Sequence, residues 1–281
     1  MCRLLGFAAR GSRTVGDVLG REHSAVFQSL ARLHRDGWGT AWNAPAGPGA
    51  ERHHPRGVEA LTSARSGWRD AALDRVLQAE QATSRLVHLR LATDGMAQTG
   101  VNTHPFNADG LAFAHHGSIT PLGALEDLVS AERLLEVRGT TDSERYLAAI
   151  RTAMDAGLDP LDAVVHVVER IRAAYPRRSL NALLLTPDAL IAVHANAGAP
   201  APADVFRERG VGGADLPRHH DEAYYLMRIR RLEDGTVVLA STGMDVTGWQ
   251  PLPEESVTRV DLLALDVETV LLGRSRLRPA A

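Results

Sequence analysis

The sequence contains no lysine, so arginine accounts for the whole Lys+Arg count of 31. A P-loop uses a lysine to hold nucleotide phosphates, and a Schiff-base enzyme uses a lysine amine as its nucleophile. The absence of lysine excludes both kinds of chemistry.

Other features are nearly absent as well. One cysteine among 281 residues excludes an internal disulfide framework and is typical of a reducing compartment. No apolar stretch is long and uncharged enough to span a bilayer, and the N-terminus lacks a signal-peptide core. The formal net charge of -3 does not indicate nucleic acid or an anionic membrane as a partner. We therefore expect a cytoplasmic protein that binds neither.

The single cysteine is residue 2, so removal of the initiator methionine gives Cys2 a free α-amino group. This amine titrates near about 7.7–8.0 and can act as a base for the neighbouring thiol at neutral pH. The apolar residues 4–8 that follow predict a strand that anchors the terminus. Taken alone, Cys2 has two other interpretations, a chance residue on a disordered end and a lone buried thiol.

The hydrophobic pattern predicts strands and helices in separate blocks. Strands are predicted at residues 3–9, 38–42, 85–91, 111–115, 181–185, 190–194, 223–229 and 236–240. Helices are predicted at residues 24–33, after a capping box formed by Thr141 and Glu144, and after Asp159-Pro160. Residues 43–57 and 198–217, rich in proline, glycine and alanine, are predicted to be loops. This order indicates an α+β fold and not a regular parallel βαβ sheet.

Several short motifs occur in a fixed order along the chain. They are MCRLLG at residues 1–6, HRDGWG at 34–39, HLRLAT at 88–93, NTHPF at 102–106, HHG at 115–117, TDSE at 141–144, ASTG at 240–243 and WQPLP at 249–253. In this order and spacing the chain resembles the class II glutamine amidotransferases, which are N-terminal-nucleophile hydrolases. It is most similar to the stand-alone bacterial type that includes the ergothioneine-pathway amidohydrolase.

The resemblance implies a four-layer αββα sandwich with Cys2 at the end of a central strand. It implies a single domain over residues 2–281, with Met1 removed, that cleaves glutamine or a γ-glutamyl amide through a Cys2 thioester. No cofactor is implied. The ammonia is either released or passed to a partner enzyme that uses it, within a small-molecule pathway.

The resemblance also assigns roles to individual residues. Arg90 would bind the α-carboxylate of the glutamyl group, because a guanidinium meets a carboxylate bidentately. Asp142 would bind the α-ammonium group, and Thr93 would add a hydroxyl contact. The N–H of Gly117 and the side chain of His116 would stabilise the oxyanion. Without the resemblance, Arg90 would be interpreted as a surface ion-pair partner and Asp142 would be interpreted as a helix-capping residue.

Other polar residues are interpreted as structural. Asn102 and His104 are predicted to hold the loop that leads to the oxyanion hole, and Asp36 and Trp38 to support the floor of the pocket. The two histidine pairs, at 53–54 and 219–220, have no carboxylate or cysteine at ligand spacing. Adjacent histidines on a strand point to opposite faces, so no metal site is predicted at either pair.

Position 116 departs from the family pattern, which has asparagine there. A histidine can also donate a hydrogen bond, but it ionises near about pH 6.5, so its ionisation would appear in the pH dependence of activity. Leu91 replaces an aromatic residue of some members, and Asp94 replaces a histidine. His116 therefore leaves three alternatives open: a donor adapted to a substrate other than glutamine, a slow enzyme, and a silent site.

The sequence thus predicts an amidohydrolase with an N-terminal cysteine nucleophile. A catalytically weak or silent subunit that serves a partner enzyme is the alternative from another class. An enzyme for a non-glutamyl amide is a third interpretation, disfavoured because Arg90 and Asp142 together suit an amino-acid head group.

Overall fold

A computed structural model describes residues 2–43, 57–93, 95–196, 198–212, 216–221 and 223–273. Its strands are β1 (Arg3–Arg13), β2 (Trp38–Asn43), β3 (Val58–Ser63), β4 (Ala82–Leu89), β5 (Phe106–Ala108), β6 (Leu111–Gly117), β7 (Leu180–Leu185), β8 (Ala189–His194), β9 (Arg228–Arg231), β10 (Val237–Ala240), β11 (Gln250–Pro251), β12 (Ser256–Asp261) and β13 (Val267–Leu271). Its α-helices are α1 (Val15–Leu19), α2 (Arg21–Ser29), α3 (Ala71–Gln78), α4 (Gly123–Glu126), α5 (Ala131–Leu135), α6 (Asp142–Asp155), α7 (Pro160–Ala174) and α8 (Ala203–Glu208). Short 3₁₀ turns lie at Leu30–Arg32 and Gly100–Asn102.

The described strands form two antiparallel sheets. The first sheet has the order β11-β9-β10-β1-β4-β2-β3, and the second has the order β13-β12-β8-β7-β6-β5. Strand β1 is therefore central in the first sheet, hydrogen-bonded to β10 on one side and β4 on the other. Cys2 directly precedes β1, so the predicted position of the cysteine at the end of a central strand is confirmed.

Three apolar clusters hold four layers together. One cluster lies between the first sheet and α1 to α3, a second lies between the second sheet and α6 and α7, and the third fills the space between the sheets. Gly6 of β1 lets the sheets approach, since a Cβ there would lie 3.1 Å from Leu190 Cδ2 and 3.2 Å from Leu183 Cδ1. The predicted α+β class and αββα sandwich are confirmed.

The two predicted helix starts are confirmed, with one difference in the capping of α6. Thr141 Oγ1 accepts the N–H of Glu144 at 3.1 Å, but the Glu144 carboxylate accepts the N–H groups of Arg138 and Gly139 and not that of Thr141. The capping box is therefore only half formed. At α7, Asp159 caps the helix and Pro160 takes its first position, as predicted.

Two predicted segments were wrong. The strand expected at residues 223–229 begins only at Arg228, because the chain turns where Leu226 N–H donates to the Ala223 carbonyl. The loop expected at residues 198–217 contains helix α8, which buries Phe206. Its proline content concealed the helix, whose formation is favoured by the burial of this one aromatic side chain. Of the other predicted loop, residues 44–56 lie outside the described part of the chain.

None of the described helices is both long and apolar enough to cross a membrane.

Candidate functional site

Cys2 lies buried at the start of β1, with only 4% of its surface exposed. Its Sγ is 3.9 Å from the carbonyl oxygen of Leu91. The antiparallel register pairs Arg3 with Leu89 and Leu4 with His88. Extending this register by one residue places Arg90 opposite Cys2. The cysteine and the arginine that the motifs predict for one site are thus neighbours across two strands.

The environment of Cys2 favours its thiolate. Burial raises the pKa of the thiol, but opposing interactions, the largest of them with His88, outweigh it and lower the pKa to about 5. His88 lies opposite Leu4 on β4, and Leu4 and Cys2 share one face of β1 because alternate residues of a strand do so. A thiol with this pKa is ionised at neutral pH, and the thiolate is the reactive form of cysteine.

His88 was not predicted as a functional residue, although it begins the HLRLAT motif. Its ring packs against that of His104 at a centroid distance of 4.3 Å and an interplanar angle of 34°, and the His104 ring lies 4.7 Å from that of Phe106. Burial, followed by the charge of His88, holds the pKa of His104 well below its usual range, so His104 is neutral. Pairing β4 with the strand of Cys2 would have identified His88, because alternation then places both side chains on one face.

Arg90 is 98% buried, so its interpretation as a surface ion-pair partner was wrong. Its guanidinium donates to the carbonyl of Asp36 at 3.2 Å and to that of Ala97 at 3.4 Å. Burial lowers the pKa of Arg90, and the charges of Cys2 and Asp36 oppose this shift. The side chain is thus held by two loop carbonyls within the electrostatic reach of Cys2.

The carboxylate of Asp36 organises the segment after Arg90. It accepts the N–H of Ala92 at 2.7 Å and the side-chain amide of Gln98 at 3.0 Å, and it pairs with Arg209 at 2.5 Å. Trp38 is buried and donates its indole N–H to Asp70. These contacts agree with the architectural role predicted for Asp36 and Trp38.

Asp142 is the first residue of α6, capped by Thr141. Its Oδ2 accepts the N–H of Ile119 at 2.6 Å and lies 3.8 Å from His115 Nδ1. Asn102 donates to the carbonyl of Ala97 and accepts the N–H of Thr140 at 2.9 Å. It therefore joins the loop beyond Arg90 to the segment just before α6.

Gly117 ends β6 in a position that no other residue fits, since a Cβ there would lie 1.8 Å from the Ser179 carbonyl oxygen. Leu180, which pairs with Gly117, donates its N–H to Ala195 on the opposite side. In antiparallel sheets hydrogen-bonded and non-hydrogen-bonded pairs alternate, so the N–H of Gly117 points away from β7. This direction suits a donor to a bound substrate.

His116 is completely buried, beside the rings of Tyr224 and Tyr225 at 5.0 and 4.8 Å. Its Nε2 is 3.2 Å from a guanidinium nitrogen of Arg3, and its Nδ1 is among the buried atoms without a hydrogen-bond partner. Burial, followed by the charge of Arg3, holds the pKa of His116 well below its usual range. The ionisation near pH 6.5 expected from the sequence is therefore wrong for this environment.

Thr93, Leu91 and Asp94 are the remaining residues singled out from the sequence. Thr93 is exposed in the turn after β4, where its carbonyl accepts the N–H of Met96. Leu91 is buried in a small cluster with Phe206 and Tyr225. Asp94 lies outside the described residues.

No group of three or more histidine, cysteine, aspartate or glutamate residues is arranged to hold a metal ion in the described chain. His219 and His220 lie in a turn and not on a strand. The alternation of side chains along a strand, from which no metal site was predicted there, therefore does not apply to this pair. His220 Nε2 instead contacts His34 Nε2 at 3.0 Å. The pair at residues 53–54 lies outside the described residues.

Comparison with known proteins places this geometry in a family. The sequence profile of "Glutamine amidotransferases class-II" matches residues 1–251. Glutamine–fructose-6-phosphate aminotransferase (isomerizing) of Zymomonas mobilis subsp. mobilis is 30% identical over 234 residues, which are 82% of this chain and 35% of that protein. The enzyme of the same name from Caulobacter vibrioides is 30% identical over 204 residues, which are 71% of this chain and 29% of that protein. The chain thus spans about a third of the length of these relatives.

Two solved structures share the fold. A glutamine aminotransferase class-II domain protein from Silicibacter pomeroyi has a TM-score of 0.61 at 16% identity, covering 96% of this chain and 99% of its own. The allosteric regulatory enzyme of purine biosynthesis has a TM-score of 0.59 at 15% identity, covering 98% of this chain and 50% of its own. With the matched profile and the cysteine at residue 2, these findings show that the chain belongs to the class-II glutamine amidotransferases.

Proposed function

We propose that this protein hydrolyses glutamine or a γ-glutamyl amide through a thioester on Cys2. The observation that carries the proposal is the Cys2 thiol itself, whose pKa is lowered to about 5 at the start of the central strand of this fold. A thiolate at that position is nucleophilic at neutral pH, whereas a structural buried cysteine would stay protonated.

The reaction begins with attack of the Cys2 thiolate on the side-chain carbonyl carbon of the substrate. The carbonyl oxygen becomes an oxyanion, and the N–H of Gly117 and the ring N–H of His116 donate hydrogen bonds to it. The C–N bond then breaks, the amine or ammonia leaves and a glutamyl thioester remains on Cys2. Water hydrolyses the thioester, which releases glutamate and restores the thiolate.

The leaving nitrogen needs a proton, and the α-amino group of Cys2 supplies it once Met1 has been removed. Because the thiol is already ionised, the amine need not deprotonate it and can remain an ammonium that acts as the acid. The same group, left as a free amine, then takes a proton from the attacking water.

The glutamyl head group is bound by two charged residues of opposite sign. Arg90 lies opposite Cys2 and would bind the α-carboxylate, while Asp142 at the start of α6 would bind the α-ammonium. Thr93, in the turn beyond Arg90, would contact the same end of the substrate. We also propose that one domain covers residues 2–281. The released ammonia would be used by a partner enzyme.

Alkylation of Cys2 by iodoacetamide should follow an ionisation near pH 5. The folded thiol has a lowered pKa, so the reactive thiolate is present above about pH 5 and is lost as the pH falls through that value. Because the chain has one cysteine, loss of free thiol reports this residue alone. His88→Leu should move the midpoint to higher pH. A wild-type midpoint near that of free cysteine, about 8.5, would contradict the thiolate assignment.

Arg90→Ala and Asp142→Ala should each lower kcat/KM for a γ-glutamyl substrate about ten- to a hundredfold, mainly through KM. Each change removes a charge-assisted contact worth roughly 1.5–3 kcal/mol. Arg85, another buried arginine of β4, contacts Thr40 instead, so Arg85→Ala controls for the loss of a buried guanidinium.

Substrate changes separate head-group recognition from general damage. For wild type, removal of the substrate's α-carboxylate should lower kcat/KM as much as Arg90→Ala lowers it for the full substrate. In the Arg90→Ala variant, the same change of substrate should lower kcat/KM little further. Full additivity of the two changes would show that Arg90 and the carboxylate do not meet. An absence of turnover with any γ-glutamyl compound would favour the silent subunit.

A further inference from the structure

Arg3 is a buried charged residue that the proposed reaction does not use. Its side chain is fully buried, and its guanidinium carbon lies 4.0 Å from the centre of the Tyr224 ring. One guanidinium nitrogen donates to Thr242 Oγ1 at 2.6 Å, to the Thr242 carbonyl at 3.1 Å and to the Tyr224 carbonyl at 3.4 Å. These contacts fix the plane of the guanidinium.

The other terminal nitrogen of Arg3 is 3.2 Å from His116 Nε2. A guanidinium has only donors, so Nε2 must be the acceptor in this hydrogen bond. A neutral imidazole carries its single proton on the other nitrogen, so the proton of His116 is on Nδ1. That nitrogen is buried and is among the atoms without a partner.

His115 provides the contrast within the same strand. Its Nε2 is 3.1 Å from the carbonyl oxygen of Ser179, which can only accept, so Nε2 carries the proton. Its Nδ1 meets Ser143 Oγ at 2.9 Å. The adjacent histidines of β6 are thus held in opposite tautomers. Both ring nitrogens of His115 have hydrogen-bond partners, whereas the Nδ1–H of His116 has none.

We propose that Arg3 is a positioning residue that holds His116 in the Nδ1–H tautomer and so presents that N–H to the substrate oxyanion. An asparagine amide at position 116 would donate without such help, because it has no tautomers. A histidine there needs a fixed donor at Nε2, and Arg3, next to the nucleophile in the chain, provides it. The inference rests on the proposed function for the oxyanion, but the tautomer itself does not depend on turnover.

The ¹⁵N NMR spectrum of histidine-labelled protein tests the tautomer directly, since protonated and bare imidazole nitrogens have distinct shifts. His116 is assigned as the signal that disappears in His116→Asn. We expect the Nδ1–H form for His116 and the Nε2–H form for His115, which serves as the internal reference. An Nε2–H form at His116 in wild type would overturn the proposal without any variant of Arg3.

A double-mutant cycle tests the catalytic consequence. Arg3→Met should release the tautomer and lower kcat by up to the ~10²–10³ that one oxyanion donor is worth, with little change in KM. Arg3→Lys, which keeps a donor, should restore part of the loss. In the His116→Asn background Arg3→Met should cost far less, because the amide does not depend on Arg3.

An equal loss in both backgrounds would show that Arg3 does not act through His116. Arg85→Met is the control for removing a buried guanidinium from the same sheet, and it should leave the His116 signal unchanged. If wild type hydrolyses no γ-glutamyl amide, the proposed function fails, whereas the tautomer is still decided by the wild-type spectrum.

Discussion

Replacing Cys2 with alanine should abolish hydrolysis of every γ-glutamyl substrate and leave the fold intact. The proposed reaction passes through a covalent thioester, and removal of a covalent nucleophile costs on the order of 10⁶-fold in kcat. Cys2 precedes β1 and is not part of the apolar clusters that join the layers. The far-UV circular dichroism spectrum and the midpoint of thermal unfolding should therefore change little. Steady-state assays of ammonia or glutamate release measure the effect.

Cys2→Ser serves as the matched control, since it keeps a small nucleophilic group but not a low pKa. We expect its activity to stay far below that of wild type. A Cys2→Ala protein that retains its rate would contradict the proposed enzyme. If the wild-type protein is folded but as inactive as Cys2→Ala, the chain is a catalytically silent subunit.

Replacing His116 should have the next largest effect. His116→Ala removes one of the two proposed donors to the oxyanion and should lower kcat by about 10²–10³ with little change in KM. His116→Asn restores a donor of the type that the family pattern has at this position. Its kcat should therefore stay well above that of His116→Ala, and on free glutamine it should equal or exceed wild type.

The pH dependence of the wild type adds a second measurement. Burial and the charge of Arg3 hold the pKa of His116 well below its usual range. His116 should therefore contribute no ionisation near pH 6.5 to the pH profile of kcat, and wild type and His116→Asn should have the same profile in that range. If His116→Ala matches wild type on every substrate, the side chain at 116 lies outside the oxyanion hole.

The parts of the fold that local sequence signals specify could be predicted. Asp159-Pro160 is a capping signal followed by a helical period, and α7 begins there. The apolar run after Cys2 became β1, whose position at the centre of a sheet followed only from the family resemblance. Helix α8 and the late start of β9 could not be predicted, because they depend on packing of Phe206, Tyr224 and Tyr225 against Leu91.

The site shows a similar division. Cys2 could be singled out from its own position and chemistry, whereas Arg90 and Asp142 were proposed for the site only because their motifs resemble those of the family. His88 and Arg3 could not be singled out, since their roles depend on partners far away in the chain. His88 lies near Cys2 through strand pairing, and Arg3 of the first sheet contacts His116 of the second sheet. A sequence read residue by residue has no signal for such pairs.

Intact-mass measurement of untagged protein, before and after treatment with a diazo-ketone analogue of glutamine, tests whether Cys2 is an N-terminal nucleophile. We expect a starting mass without Met1 and the addition of one analogue, mapped to Cys2. Cys2→Ala should remain unlabelled, and excess γ-glutamyl substrate should protect the wild type. An active preparation that retains Met1, or an analogue attached anywhere but Cys2, would contradict an N-terminal cysteine nucleophile.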